Sequence, residues 1–429
     1  MKRVLIISYY WPPAGGISVL RSLKFAKYLH QMGWEVVVYA PENADYPLIA
    51  EGNLRDIPEE IEVIRGKILE PFAAFKKLSG RRPDDSANPV YQRDKKSSIV
   101  DSLSIWVRAN FFIPDARALW IRPSVKRLSQ YLRRKPVHVL LTDGPPHTNT
   151  VIAARLSKKF NIPWLADFQD PWTQVDYYKM MKISGPADWI HKKMEQSVFR
   201  TAKHITIVSP SWKKDLESIG AQNVSVVYWG YDEDDFKDIS PDPDPGTFTI
   251  IHAGTVGFDR LPNAFIDQIN LLVKQLPDQK IEVLFYGPVD YELKEQVHQL
   301  GLEKVVLFKG NIERKAMLKK LMECDLQLLL LNKADNAMGR LPGKLYEYLR
   351  VKKPIMGLGL PGSDADHILQ NTGTGKVLNY NDTEGIRLFL SDLLNEEWKS
   401  FNPDGIEQFS SENQISKISD LLKEMIQNG

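Results

Sequence analysis

Apolar runs of strand length recur along this chain, each followed by a stretch with helical spacing, and that alternation leaves few folds open. Residues 4–8 read as a strand, 18–32 as a helix with Leu20, Leu23, Ala26, Tyr28 and Leu29 at helical spacing, and 35–40 as a second strand. Gly33 supplies the stop between them. This is a βαβ start, and runs at 137–141, 164–168 and 205–208, with a helix over 150–160, continue it. A first Rossmann-like domain is therefore expected over residues 1–240. The segment 238–246 (DISPDPDPG) then breaks the pattern: three prolines and three aspartates can hold neither a helix nor a central strand, so it reads as a linker. A second cycle follows, with strands at 248–253, 281–286, 305–309, 326–331 and 354–358 and helices at 264–276, 291–300 and 314–322. The expected class is α/β, two doubly wound domains (1–240 and 241–410) facing each other across a cleft at the carboxyl ends of their strands. An amphipathic helix at about 412–427 is expected to pack back on one of them.

Composition narrows the function classes. The chain has 429 residues, 43% of them apolar, too many for a disordered protein. Lys and Arg number 56 against 54 Asp and Glu, a net charge of +2 that does not suggest a nucleic-acid partner. Cys324 is the sole cysteine, which excludes a disulfide framework and a cysteine-rich metal site. The apolar stretch after Met1 is too short for a signal-peptide core, and no run approaches a membrane span, so the expected setting is cytoplasmic. One region departs from the average: between Arg65 and Lys135 there are 17 Lys/Arg and 6 Asp/Glu, interleaved with Phe72, Phe75, Trp106, Phe111, Phe112 and Trp120. Such an insertion can dock an anionic membrane surface, or its aromatics can pack on the domain beneath.

Several residues stand where chemistry is expected. Gly15 and Gly16 lie between the first strand and first helix, where backbone can approach an anion, although the loop is not a GxGxxG turn and a plain loop also explains it. His147 follows a strand in DGPPH and precedes a helix, placing it at a cleft edge or in packing. Asp167 and Asp170 end the next strand, where they can bind sugar hydroxyls, act as a base or cap a turn. Gly254 and Thr255 end the first strand of the second domain, with Arg260 six residues after Gly254. The run Leu341-Pro342-Gly343-Lys344-Leu345-Tyr346-Glu347 enters a helix; its free amides and Lys344 suit a diphosphate, and Glu347 suits a ribose diol. An amphipathic helix with surface charges is the plain alternative. The pairs Asp84-Asp85 and Asp234-Asp235 lack further ligands and are not metal sites.

In their order and spacing, YYWPPAGGISVLRSLKFAKYL, IPDARALW, DGPPHTNTVIAARL, WLADFQDPW, HAGTVGFDR and LPGKLYEYL resemble bacterial glycosyltransferases of family 4, over nearly the whole chain. The resemblance implies the GT-B fold and retaining transfer of a sugar from a nucleoside diphosphate, UDP or GDP, to a hydroxyl acceptor, with no metal and no other cofactor. It implies that Gly15 and Gly16 approach donor phosphates or acceptor and that His147 touches the transferring sugar. It also implies that Arg260 and Lys344 meet the diphosphate and Glu347 holds the ribose; Gly254, Thr255, Pro342, Gly343 and Leu345 would complete the donor site, and Asp167 and Asp170 the acceptor site. Two positions depart from the pattern: Gly339 stands where the E-x7-E motif has its first glutamate, and Thr255 where an arginine is usual. A glycan or lipid-linked acceptor, assembly of a surface polysaccharide or glycolipid, and contact with the inner face of the membrane are further implications. The alternatives are a non-catalytic GT-B partner protein and a nucleotide-sugar 2-epimerase.

Overall fold

The computed structural model describes residues 1–70, 106–395 and 403–427. Phe72, Phe75 and the Asp84-Asp85 pair of the basic insertion lie outside the described residues. The chain divides into two compact units, Met1–Trp229 with Ser411–Gly429, and Gly230–Ser410.

The first unit is built on β1 (Arg3–Ile7), β2 (Glu35–Pro41), β3 (Glu62–Gly66), β4 (Val139–Gly144), β5 (Trp164–Phe168), β6 (His204–Ile207) and β7 (Val224–Val226). They form one seven-stranded sheet in the order β3-β2-β1-β4-β5-β6-β7, every neighbouring pair parallel. Successive side chains of a strand point to opposite faces. Leu5, Ile7, Val37 and Leu140 enter one core with Trp120, Trp164 and Trp212. Val4, Ile6, Val36 and Leu141 enter the other with Trp34 and Phe25. Both faces are covered by helices, so these strands are continuously apolar in sequence rather than alternating.

The second unit repeats the plan with β8 (Thr247–Ala253), β9 (Lys280–Tyr286), β10 (Val306–Gly310), β11 (Leu326–Leu330), β12 (Ile355–Leu358) and β13 (Gly375–Leu378), in the order β10-β9-β8-β11-β12-β13. In both sheets the strand order reverses once, between β1 and β4 and between β8 and β11. Ligands of open parallel sheets bind outside the carboxyl ends of the strands at such a reversal.

One expectation is corrected. The Pro/Asp segment 238–246 does not divide the units; the division falls earlier, at Trp229 and Gly230. The cause is a set of ties that bind residues 230–247 to the second unit: Tyr231 N–H donates to the Phe409 carbonyl at 3.0 Å, Arg350 Nε to Glu233 at 2.8 Å and Arg314 Nη2 to Asp235 at 2.7 Å. Asp244 then accepts from Thr247 Oγ1 at 2.7 Å, starting β8 inside that unit. Of the two readings of the basic insertion, Trp120 follows the packing one: it is fully buried, its ring stacked 5.1 Å from that of Tyr39. Trp106 and Phe111 are exposed.

The helix Ser411–Gln427 completes the first unit, placing Ile415, Ile418, Leu422 and Met425 in its core. Trp34 Nε1 donates to Ser419 Oγ at 2.9 Å, and Tyr228 N–H to Gln414 Oε1 at 2.9 Å.

Asp167, expected to meet an acceptor, is buried structure instead. Arg21 Nε and Nη2 each donate to one of its oxygens at 2.6 Å, and Thr206 Oγ1 donates a third bond at 2.6 Å. Arg21 also donates to the Val227 and Tyr228 carbonyls at 3.1 and 3.0 Å, so one ion pair ties the helix Ile17–Gln31, β5, β6 and the strand-to-unit exit together. Replacing one member strands the other charge in a dry interior, which costs roughly 3–5 kcal/mol. Asp167→Ala should therefore lower unfolding stability by about that amount in urea titrations. A change under about 1 kcal/mol would show that water reaches the site.

Candidate functional site

At the reversal of the second sheet, β8 runs out at Ala253 and the backbone turns sharply at Gly254, whose φ of +126° suits glycine. The Gly254 amide is held by the Tyr286 carbonyl at 2.7 Å, and a side chain at Gly287 would lie 2.6 Å from the Gly254 carbonyl oxygen, so the turn is packed backbone to backbone. The helix Lys344–Val351 is locked onto this strand end by two residues one turn apart. Lys344 Nζ donates to the Ala253 carbonyl at 2.9 Å, and the Ala253 amide donates to Tyr348 Oη at 2.9 Å. Buried His252 donates through Nδ1 to the Leu328 carbonyl at 2.9 Å, joining β8 to β11; burial and the Lys344 charge hold its imidazole well below the usual range.

Lys344 is the ammonium of this niche. Burial, reinforced by the Arg260 guanidinium and opposed by Glu347, pushes its pKa down to about 7. Arg260 is itself held by Asp259, Nη2 to Oδ2 at 2.8 Å, and Thr255 is exposed beside it. Glu347 is not free for a ligand alone: Arg314, from the helix Arg314–Glu323, reaches one of its oxygens at 2.7 Å. Arg314 was not singled out in the sequence, because nothing in its spacing joins it to Glu347. Gly339 is buried in a short 3-10 turn, Ala337–Gly339. Pro342 and Gly343 are half-buried at the helix entry. Leu345, expected in the donor site, is a core residue with no exposed surface, and its amide already donates to the Pro342 carbonyl at 3.0 Å.

The first unit gathers a different set. Gly15 does not offer its amide: it donates to the Leu48 carbonyl at 2.8 Å, and Leu48 fills the space a side chain would take. Gly16 does remain open, at φ +93° as the cap of the helix Ile17–Gln31, with nothing within 4 Å of its missing side chain. His147 caps the helix Thr148–Phe160, but its imidazole is packed rather than displayed. Only 6% exposed, it stacks on Trp172 with ring centroids 4.5 Å apart, and burial, with His191 adding to it, pushes its pKa down to about 3. The amide and hydroxyl of Thr148 are taken by Asp115, at 2.8 and 2.9 Å, which gives the IPDARALW segment its structural job. Asp170 is half-buried after β5.

One residue at this reversal escaped the sequence reading. Asp143, at the end of β4, accepts from Ser8 Oγ at 3.1 Å, from Asn149 Nδ2 at 3.0 Å and from Ser22 Oγ. Burial pushes its pKa up to about 7 against the opposing serine bonds. Its place between a strand end and DGPPH was the available signal.

Residues 15–231 match the model of the glycosyl transferase 4-like domain, half of the chain. The chain belongs to this glycosyl transferase 4-like family. No curated protein matches it by sequence. Solved structures extend the likeness over both units of the glycosyl transferase. Sucrose-phosphate synthase from Thermosynechococcus elongatus is 14% identical with a TM-score of 0.63, covering 100% of each chain. Anabaena HepE in complex with UDP-glucose is 15% identical with a TM-score of 0.60, covering 99% of this chain and 100% of its own. The N-terminal domain of Candida albicans trehalose-6-phosphate phosphatase is 12% identical with a TM-score of 0.65, covering 99% and 97%. At these identities the likeness concerns the fold, which is the GT-B class of two doubly wound α/β domains. Among the described residues no helix is long and apolar enough to cross a membrane, and no group of three or more His, Cys, Asp or Glu is placed to hold a metal ion.

The lowered Lys344 pKa makes a prediction with a defined sign. Between about 7 and the ordinary 10.5 the unfolded chain binds a proton that the folded chain does not. Stability contributed at this position is therefore complete above the upper value and lost as pH falls toward the lower one. Wild type should gain in unfolding midpoint relative to Lys344→Met between pH 7 and pH 10. A pH-independent difference between the two would mean that Lys344 stays charged.

Proposed function

We propose that this chain moves a sugar from a nucleoside diphosphate sugar, UDP- or GDP-linked, to a hydroxyl acceptor, with retention of configuration and without a metal or further cofactor. The observation that carries the reading is the pair of cations at the carboxyl end of β8: Lys344, anchored to Ala253, and Arg260, close enough to lower its pKa. Two cations beside a glycine turn at a strand-order reversal suit a diphosphate. Anion binding favours protonated Lys344, so a bound diphosphate would raise its pKa again. Glu347, oriented by Arg314, would accept from the ribose hydroxyls, with Gly254, Thr255, Pro342 and Gly343 forming the surrounding turn. HepE, a structural neighbour, carries UDP-glucose.

In the transfer step the bond from the sugar's anomeric carbon to the diphosphate oxygen breaks, and the acceptor oxygen forms the new bond on the same face. The acceptor proton passes to the departing phosphate oxygen, so no protein nucleophile is needed. Lys344 and Arg260 would stabilise the charge that grows on the diphosphate. In the first unit, Gly16, with open space beside it, and Asp170 would meet the acceptor. His147, neutral and stacked, would shape the loop after β4 rather than shuttle protons. A glycan or lipid-linked acceptor of a bacterial surface polysaccharide or glycolipid fits the family. Exposed Trp106 and Phe111 supply the aromatic contact that a cytoplasmic enzyme at an anionic membrane surface would use.

A thermal-shift panel with UDP, GDP, ADP and dTDP on wild type and Glu347→Ala tests the reading. A nucleotide at 100 times its dissociation constant adds about 2.7 kcal/mol of stability. The expected result is a shift with UDP or GDP that the variant loses. No shift with any nucleotide would overturn donor binding and favour a non-catalytic GT-B partner, the reading that Gly339 and Thr255 already leave standing.

A further inference from the structure

The helices Ile121–Arg134 and Thr148–Phe160 pack side by side on the first unit. Residues 121–135 and 148–160 hold nine Lys and Arg and no Asp or Glu. All nine cations are exposed. Lys135 pairs with Glu62 at 3.2 Å; among the described residues the other eight have no carboxylate partner. Such a concentration of one charge opposes folding by self-repulsion, and a structural role does not explain it. Between the helices runs a groove of about 400 Å³ lined by Arg122, Lys126, Arg133, Arg155 and Lys159, with Ser129 and Gln130 in its floor. Lys159 Nζ donates to Ser129 Oγ at 3.0 Å, which fixes one wall against the other.

We propose that this groove of the first unit is a binding site for an anionic glycan, a chain bearing carboxylates or phosphates, and is formed by residues other than those of the donor niche. The choice of a glycan rests on the transferase reading; the charge and shape do not. A bilayer suits the groove poorly, because neither helix exposes a large apolar side chain that could insert. Single-stranded nucleic acid suits it poorly as well, since no aromatic side chain lines it for bases to stack on. An anionic sugar chain needs only what is present: cations at intervals along two rigid helices, with the exposed Gln130 amide between them for sugar hydroxyls. Engaged there, a growing acceptor would be held to the enzyme between turnovers, an avidity effect that adds no contact at the reacting centre.

The test measures binding of fluorescent oligogalacturonate and of a glycerol-phosphate oligomer to the full chain. A neutral malto-oligosaccharide, an oligonucleotide of equal charge and phosphatidylglycerol–phosphatidylcholine vesicles run in parallel. At least one anionic glycan should bind at low salt and weaken as salt rises. Lys126→Glu/Arg155→Glu should weaken it about tenfold or more, and Lys126→Gln/Arg155→Gln less, with melting temperatures equal to or above wild type as the self-repulsion is relieved. The proposal falls if neither glycan binds, if binding survives charge reversal, or if vesicles or oligonucleotide bind more tightly through these same residues. Vesicle binding that survives both variants leaves the groove to the glycan. A nucleotide shift without glycan binding would overturn this inference alone; loss of both would overturn the transferase reading too.

Discussion

A parallel sheet buried on both faces has no face to give to a ligand, and this constraint organises the molecule. Val4 and Ile6 serve one core while Leu5 and Ile7 serve the other, so polar chemistry is forced to the strand ends and the loops beyond them. Where neighbouring strands connect in the same direction, helices close over those ends. Where the order reverses, between β1 and β4 and between β8 and β11, the connections part and leave room. Asp143 and Gly16 accumulate near the first opening, Lys344 and Gly254 at the second. The candidate sites follow from sheet topology before any particular side chain is considered.

The same openings set the charge balance. At the second, Lys344 occupies the first position of its helix, where the dipole disfavours a cation, and Arg260 adds repulsion. The niche is therefore rich in positive charge, offset in part by Asp259, which holds Arg260, while Arg314 engages Glu347. A niche arranged in this way favours an incoming anion without requiring the backbone to move. At the first opening the pattern is reversed, with Asp143 buried among neutral donors and pushed toward its protonated form.

Much of this was legible in the sequence and some was not, for physical reasons. Strands such as β5 and β9 were readable because doubly buried parallel strands are short, continuous apolar runs. β3, β7 and β13 were missed; the register of β3 puts Glu62 and Arg65 among its strand residues, and the apolar signal is diluted at sheet edges. The positions of Lys344 and Glu347 at a helix entry were visible in LPGKLYEYL. What occupies Glu347 was not, since Arg314 lies on another helix and meets it only in three dimensions. Asp167 misled for a related reason: a carboxylate at a strand end looks like a ligand until a buried Arg21 is found against it. The Pro/Asp segment misled differently, because local breakers mark where regular structure stops and say nothing about which unit owns the loop.

The returning helix Ser411–Gln427 makes the first unit discontinuous in the gene. The chain leaves that unit once after Trp229 and re-enters it once before Ser411, and Tyr231 and Phe409 hydrogen-bond beside those two passages. Exchange of the second unit by recombination thus requires two simultaneous junctions, and a single crossover would deprive the first unit of Ile415, Ile418, Leu422 and Met425. The second unit of such a chain is inherited together with the split first unit, so lineages with this architecture would diversify by altering loops rather than by shuffling halves.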